Sequence, residues 1–539
     1  MKDLARDLTW PRWRWRFLLA ATVSLSGCTF AYTWRSLGPF ETSGPIRHII
    51  VDPVRANRVY AASENGGLWV MDDATASGAS WRPISDQLEN LQMRGVAKSS
   101  VDSAYIVTAN ALGFVYHTKD HGATWTRIVN QSFSYIRRLL IAEGLTRIPA
   151  GNYTRLAKET TVLVAGRTGL HRLRLVNNNF DRVDTLYPRL AAQNAEVLDL
   201  ARDPVDQRKL FVAVRAQGVW RSTDGGETWS LVAPWATFGD SSPMMRLATN
   251  NRRVVAKFGR NLVVNDAGGD SAAWRLTSSV GFDDLGGSDI GYRGNYSGVT
   301  GDWTHALAIH PTDTSIIATG QTDLFTTTNG GSTWTARSAA HEDMQALAFS
   351  PDGQRLYVGN DGGIWVFNVD NWSRTNLNRN LTTLQFYRAA KDGSVVIGNA
   401  DHQGIRGTRN IEANPPAWEY ATQGSSGYGN NGLENDFVFS DPAIANRFYV
   451  AFQEQDLLRL RYPLTGSSQD LLAMNDTSGR VRPFVMRRNN PAVNNMLNYP
   501  VGTVAFDPRA NSNLLLLAAH ETVNTTFVIR LTRNRNVNP

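Results

Sequence analysis

The residues in this chain best suited to chemistry are carboxylates and aromatics placed in turns. Glu64, Asp302 and Asp361 are the candidate catalytic acids. Tyr292, Tyr296, Trp303, His341, Asp343, Asp401 and His402 are the candidate ligand-binding groups around them. Carboxylates accept hydrogen bonds from hydroxyls, and aromatic faces stack on the apolar face of a sugar ring, so this combination suits carbohydrate. Two carboxyl groups about 5 to 9.5 Å apart across a groove can also act as acid and base, or acid and nucleophile, in glycoside hydrolysis. The stretch from Phe282 to Asp302 is Gly-rich and long for a connection, and long loops in compact folds often carry function. The same residues also read as solvated loop acids, and Asn360-Asp361-Gly362-Gly363 doubles as an ordinary tight hairpin turn. Asp302, His305, His341 and Asp343 lack tight ligand spacing, so no metal and no other cofactor is expected.

These residues need a scaffold, and the chain repeats one. Apolar, β-rich hairpins recur at Val59–Val70, Tyr105–Tyr116, Thr161–Leu173, Leu210–Arg221, Val254–Val264, Ile316–Thr326, Leu356–Phe367, Val395–Ile405, Phe448–Leu460 and Leu514–Leu531. Their starts lie about 50 residues apart, which fits four-stranded propeller blades. Asp52-Pro53, Asp203-Pro204, His310-Pro311, Ser350-Pro351, Asp441-Pro442 and Asp507-Pro508 mark where a first strand stops, since Pro removes a ladder donor. A fourth-strand tryptophan recurs at Trp81, Trp125, Trp229, Trp274, Trp334, Trp372 and Trp418, and no helix longer than a turn or two is apparent. In such a fold the central hairpin turns and the blade connections share one face, which therefore collects the candidate residues.

Three turns are more specific. Ser222-Thr223-Asp224-Gly225-Gly226-Glu227-Thr228-Trp229 recurs as Thr118 to Trp125 and Thr327 to Trp334, with Asp120, Asp224 and Asn329 spaced 104 and 105 residues apart. The acid or amide accepts from the turn's own N–H groups, a glycine takes a positive φ, and the Trp packs beneath. This pattern resembles the Asp-box of the bacterial neuraminidase (BNR) repeat, found in sialidases, xyloglucanases and sortilins. The resemblance implies an all-β propeller with Asp120, Trp125, Asp224, Trp229, Asn329 and Trp334 as structural residues on the face away from any ligand. It is specific for fold and poor for activity. Xyloglucanases carry a catalytic Asp in an Asp-Val-Gly-Gly motif of the first blade; here Ser63-Glu64-Asn65-Gly66-Gly67 puts the longer Glu64 in that place. Arg147-Ile148-Pro149 has the letters of a sialidase motif but follows the first clear Asp-box, and reads as chance.

The last hairpin has no Trp-bearing fourth strand after it, whereas Thr33-Trp34-Arg35-Ser36-Leu37 looks like one. Pairing of the two ends would close a single ring of about ten blades and remove exposed edges. Two smaller propellers are the alternative.

Residues 1–27 read as a lipoprotein signal peptide: five Lys/Arg, a short apolar run from Phe17 to Leu25, then Leu25-Ser26-Gly27-Cys28. Cys28 is the only cysteine, so no internal disulfide is possible and lipidation there is expected. Residues 28–539 form the propeller, exported and lipid-anchored, with the outer membrane as the expected address. The net charge of +7 falls to about +4 without the leader, with no basic run that suits nucleic acid. Two functions stay open: a tethered module that binds a glycan or protein partner, or a glycoside hydrolase of xyloglucanase or sialidase type.

Overall fold

A computed structural model describes residues 37–539, except 151–152, 187–195, 240–243, 260, 278–305, 321–322, 401–402, 421–434, 441–444, 453–456, 462–468, 472, 476–480, 484–500, 507–513, 521–525 and 533–539. For 144–158, and for most residues after 419, it describes the backbone alone. Among the described residues the architecture is all-β, with nine four-stranded antiparallel sheets, as expected for propeller blades. All ten hairpins read from the sequence are present as antiparallel pairs.

The burial pattern explains the composition of the strands. Second strands such as Val59–Ser63, Ile106–Asn110 and Leu210–Val214 are buried at every position, because each sheet packs its two faces against neighbouring sheets. They therefore read as unbroken apolar runs. Fourth strands are short and exposed, as at Arg82–Pro83 and Thr126–Arg127. Charge and proline on so short an edge discourage pairing with another chain.

Seven sheets form one ring. Their inner strands are Ile46–Val51, Met93–Lys98, Ile136–Ala150, Val197–Arg202, Met245–Thr249, Ala306–Ile309 and Ala346–Phe349, here the inner strands of blades 1 to 7. Each packs on the next, and that of blade 7 packs back on that of blade 1. The seam is a shared core of Ile46, Ile49, Trp69 and Trp81 with Tyr357, Ile364, Leu377 and Leu381. The Trp81 indole N–H donates to the Leu377 carbonyl at 2.6 Å, just as Trp125 of blade 2 donates to Ile84 of blade 1 at 2.6 Å. The closing joint is thus built like an ordinary joint between consecutive blades.

This corrects the expected single ring of about ten blades. Seven wedge-shaped sheets already fill the circle, so blade 7 meets blade 1 and leaves no place for further blades. The rest of the chain forms separate sheets: Phe386–Asp392 to Glu419–Tyr420, Asn435–Ser440 to Gln469–Leu471, a hairpin of Ala473–Asn475 with Val481–Pro483, and a three-stranded sheet from Val501–Phe506 to Thr526–Thr532. None of these sheets belongs to the seven-blade ring. Trp34, on which the expected closure depended, lies outside the described residues. Leu37 does not: the Trp418 indole donates to its carbonyl at 2.6 Å, the same relation that Trp81 has to Leu377.

Blade 3 is the irregular one. Its first two strands, Ile136–Ala150 and Tyr153–Gly166, run to 15 and 14 residues and pair along their whole length. Arg147-Ile148-Pro149 sits inside this ladder, opposite Thr154 to Leu156.

Candidate functional site: the arginine-lined mouth of the ring channel

The two faces of the ring are distinguished by backbone hydrogen bonds. Each of the three Asp- or Asn-bearing turns is tied to the loop joining the first two strands of its own blade: His121 N–H to Ala104, Gly225 N–H to Arg208, Gly330 N–H to Ser315. Central hairpins are tied instead to the segment entering the first strand, as in Glu64 N–H to Pro45 and Arg215 N–H to Glu196. Glu64 and Asp361 lie in central hairpins and so share the face opposite Asp224, as the sequence leads one to expect.

A cavity of about 80 Å³ opens on that face, at the start of all seven inner strands. Its lining carries five guanidinium groups, from Arg47, Arg94, Arg137, Arg138 and Arg246, together with His48, Tyr135, Asp199 and Gln345. The face was expected to be rich in carboxylates. Over the channel it is cationic.

A bulge sets three of the five. In blade 1 Ile46 pairs with Ser63 and His48 with Ala62, so Arg47 is the extra residue. Arg94 is the extra residue between Met93 and Gly95, and Arg137 between Ile136 and Arg138. A β-bulge leaves one residue unpaired and re-aims its side chain, a device common beside functional sites. Blade 5 has no bulge; Arg246 pairs directly with Lys257, a lysine 1% exposed whose Nζ donates to the Gly320 carbonyl at 3.3 Å.

The cations meet several partners among the described residues, and Arg246 donates to the Met245 carbonyl at 2.9 Å. Arg47 donates to Glu64 at 2.5 Å and to Gln345 Oε1 at 2.8 Å. Arg137 and Arg215 share Glu196, each at 2.6 Å. Arg138 lies 3.4 Å from Asp199, which also accepts from the Leu200 and Leu247 N–H groups, both at 2.9 Å. Arg94 has no carboxylate partner among the described residues; its guanidinium sits 4.9 Å from the Tyr135 ring centroid. Arg137 and Arg167 flank the same ring at 4.4 and 4.9 Å. His48 reports the combined field. Burial first, then Arg138, Arg246 and Arg47, hold its pKa well below the usual imidazole value.

Two of the candidate acids meet through this lining. Glu64 binds Arg47, Arg47 binds Gln345, and Gln345 Nε2 donates to Asp361 Oδ1 at 2.9 Å. Asp361 is 3% exposed, and its carbonyl accepts from Gln403 Nε2 at 3.3 Å. His341 packs its ring against Gly362, where a Cβ would lie 2.7 Å away, and Asn360 Nδ2 donates to the His341 carbonyl. Asp343 takes a φ of 64°. Asp302, Tyr292, Tyr296, Trp303, Asp401, His402 and Cys28 lie outside the described residues. A set of amides continues the rim: Gln92 Nε2 donates to Asn65 Oδ1 at 2.9 Å, and Asn65 Nδ2 donates to Gln385 Oε1.

The arginines went unnoticed in the sequence, although a signal exists. Ile46-Arg47, Met93-Arg94, Ile136-Arg137 and Met245-Arg246 all put Arg after the apolar residue that opens an inner strand. A search of first strands for repeated charge, and not of loops for acids, would have found it.

The shape has known counterparts. The chain superposes on a GH74 enzyme from Niastella koreensis with a TM-score of 0.58 at 14% identity, over 92% of this chain and 74% of that one. The likeness is one of fold. An ancestral GH74 enzyme gives 0.59 at 11% identity, over 91% and 69% of the two chains. The GH74 xyloglucanase of Xanthomonas campestris gives 0.50 at 13% identity, over 92% and 87%. No family model matches the sequence, and no curated protein does.

Proposed function

We propose that this protein is an exported propeller, tethered through a lipid at Cys28, that binds a glycan or protein partner on the face carrying the ring mouth. The supporting observation is the state of the two described acids. Glu64 is ion-paired with Arg47, and Asp361 is buried against Gln345. A general acid must present its proton to the substrate, and a nucleophile must reach the reacting carbon. Acids held in this way build a fixed polar surface instead, which suits recognition.

A second reading is a glycoside hydrolase. It is favoured by the likeness in fold to GH74 enzymes, and by the bridge that brings Glu64 and Asp361 to one place. A combined binding and hydrolysis screen of the full chain on β-glucans and acidic polysaccharides separates the two. The binding reading predicts retention without product. Turnover that disappears in Glu64→Gln or Asp361→Asn would replace it with the hydrolase. Tethering is tested by fractionation, where Cys28→Ser should leave the membrane fraction; its persistence there would remove the anchor.

A further inference from the structure

The face opposite the mouth is divided in a way that its turns do not require. In blade 1 the Val54 N–H donates to Asp52 Oδ1 at 2.8 Å, and in blade 4 the Val205 N–H donates to Asp203 Oδ1 at 2.9 Å. In blade 2 the Val101 N–H donates to Ser99 Oγ at 3.2 Å. The acid or the hydroxyl makes each turn, and any residue with an N–H could stand where the valine does. Yet these valines are 48, 74 and 66% exposed in that order. At the same offset blades 5 to 7 carry Arg252, Thr312 and Asp352, all exposed and all polar. The apolar positions therefore gather on one side of the ring.

Blade 3 lies among them and replaces the turn with the far ends of Ile136–Ala150 and Tyr153–Gly166. Its third strand, Gly169–Val176, pairs only as far as Glu159, so the positions beyond form a two-stranded ribbon. Because the first strand starts at the mouth, the ribbon ends on the opposite face. Its composition is biased. Over the whole chain 55 Lys and Arg stand against 48 Asp and Glu, but residues 144–158 hold Arg147, Arg155 and Lys158 and no acid. The order along the ribbon matters as well. Ala150 pairs with Tyr153 at the end and Pro149 with Thr154 next; Arg155 and Arg147 then follow on opposite strands, beside Ile148 and Leu156. An apolar end with an aromatic, backed by cations, is the composition of a segment that settles into a bilayer interface. The cations there meet anionic headgroups. Equivalent turns of a ring lie at one level along its axis, so the valines flank the ribbon as a flat front and not as a groove. A second copy of the chain would set two acid-free ribbons against each other, whereas a flat anionic surface matches both features.

We propose that the side of this face formed by blades 1 to 4 docks on an anionic phospholipid bilayer, through the blade 3 ribbon and the turns of Val54, Val101 and Val205. The mouth then points away from the bilayer, open to its partner. This deepens the membrane-tethered reading above, and its test works whether or not Cys28 carries a lipid. The contact is labile to salt, so membranes washed in high salt still report the lipid alone. The experiment is hydrogen exchange on the full chain with vesicles of phosphatidylcholine alone or enriched in phosphatidylglycerol. The anionic vesicles should slow exchange in the ribbon and around the three valines but not at the mouth, and added salt should reverse the effect. Arg147→Glu with Arg155→Glu should abolish that protection and weaken binding to anionic vesicles at least about tenfold. The leader and any lipid are common to parent and variant, so the difference belongs to the ribbon. Should the double variant lose its cooperative melt, Val205→Asp, at a 74% exposed residue, carries the test with a several-fold weakening. Protection confined to residues before Leu37, or equal protection on neutral vesicles, overturns the proposal. So does protection of the ribbon by soluble polyglutamate with vesicles silent, which would make it a site for an acidic chain. If Cys28→Ser stays with salt-washed membranes while the ribbon is protected, the tether falls and the docking stands.

Discussion

The two faces of the seven-blade ring both display charge and handle it in opposite ways. On the far face Asp224 is satisfied by its own turn. Its carboxylate accepts from the Glu227 and Thr228 N–H groups and from the Ser222 and Thr228 hydroxyls, within 2.5 to 3.1 Å. Asp120 is bound in the same way by Thr118 and Thr124. At the channel mouth the charges belong to different blades, and partners are drawn from neighbouring blades, as Arg47 of blade 1 donates to Gln345 of blade 7 and Arg137 of blade 3 pairs with Glu196 of blade 4. Charge with a local partner holds a turn together, whereas charge paired between blades ties one blade to the next.

The contrast yields predictions, and the largest concerns the seam. Trp81→Ala should cost about 3 to 5 kcal/mol, as large aromatic truncations in a packed core do, and should lower the urea midpoint strongly. A loss as small as that of a surface substitution would mean that blade 7 does not lock onto blade 1. Asp224→Ala should cost about 1 kcal/mol, because it removes the acceptor that holds the turn's exposed N–H groups. Binding in the glycan screen should be unchanged; a loss of binding would erase the distinction between the faces.

Acid provides a milder probe. The Thr118 hydroxyl, then the Thr124 hydroxyl and N–H, lower the Asp120 pKa to about 2 from its ordinary 3.8. For Asp224, burial acts against ionisation, but the Thr228 and Ser222 bonds prevail and the pKa is lowered further. A depressed carboxylate stabilises the fold above its unfolded pKa, and that contribution fades as pH falls through the folded value. Stability should therefore decline from about pH 4 toward pH 2. Asp120→Asn and Asp224→Asn together should flatten that decline, as followed by thermal melts; an unaltered slope would reject the assignment.

The smallest effect is expected at the third turn. Asn329 donates its amide to the Thr333 hydroxyl at 2.8 Å and accepts the Thr333 N–H at 2.9 Å. In Asn329→Asp the hydroxyl can reverse and donate to a charged acceptor, as at the other two turns. A gain of up to about 1 kcal/mol is expected, the difference between a neutral and a charge-assisted bond. A loss would show that the three turns are not equivalent.

What the sequence reveals follows from how local each feature is. The hairpins at Val59–Val70 or Leu356–Phe367 are legible because turn residues and apolar runs sit side by side in the chain. The Asp224 turn is legible for the same reason, since donor and acceptor are four residues apart. The number of blades per ring is not, because Trp81 sounds the same note whether its neighbour is Leu377 or a strand from the chain's far end. Glu64 and Asp361 were visible as acids, yet their state depends on Arg47 and Gln345, which meet only when the ring closes. The bulges at Arg47, Arg94 and Arg137 were hidden most fully: a bulge is a property of two strands, and neither strand announces it alone.

One contact near the start of the chain has a consequence for assembly. The Ser43 hydroxyl meets the Thr383 hydroxyl at 2.6 Å across a separation of 340 residues, and the Phe40 carbonyl accepts from the Asn380 N–H. These contacts form only after blade 7 is in place. Until the chain through blade 7 exists, the strand Ile46–Val51 has no seventh-blade neighbour, and a join across 340 residues is intrinsically slow to form. A chaperone that shields Ile46, Ile49, Trp69 and Trp81 during that wait would cover the apolar face that closure buries.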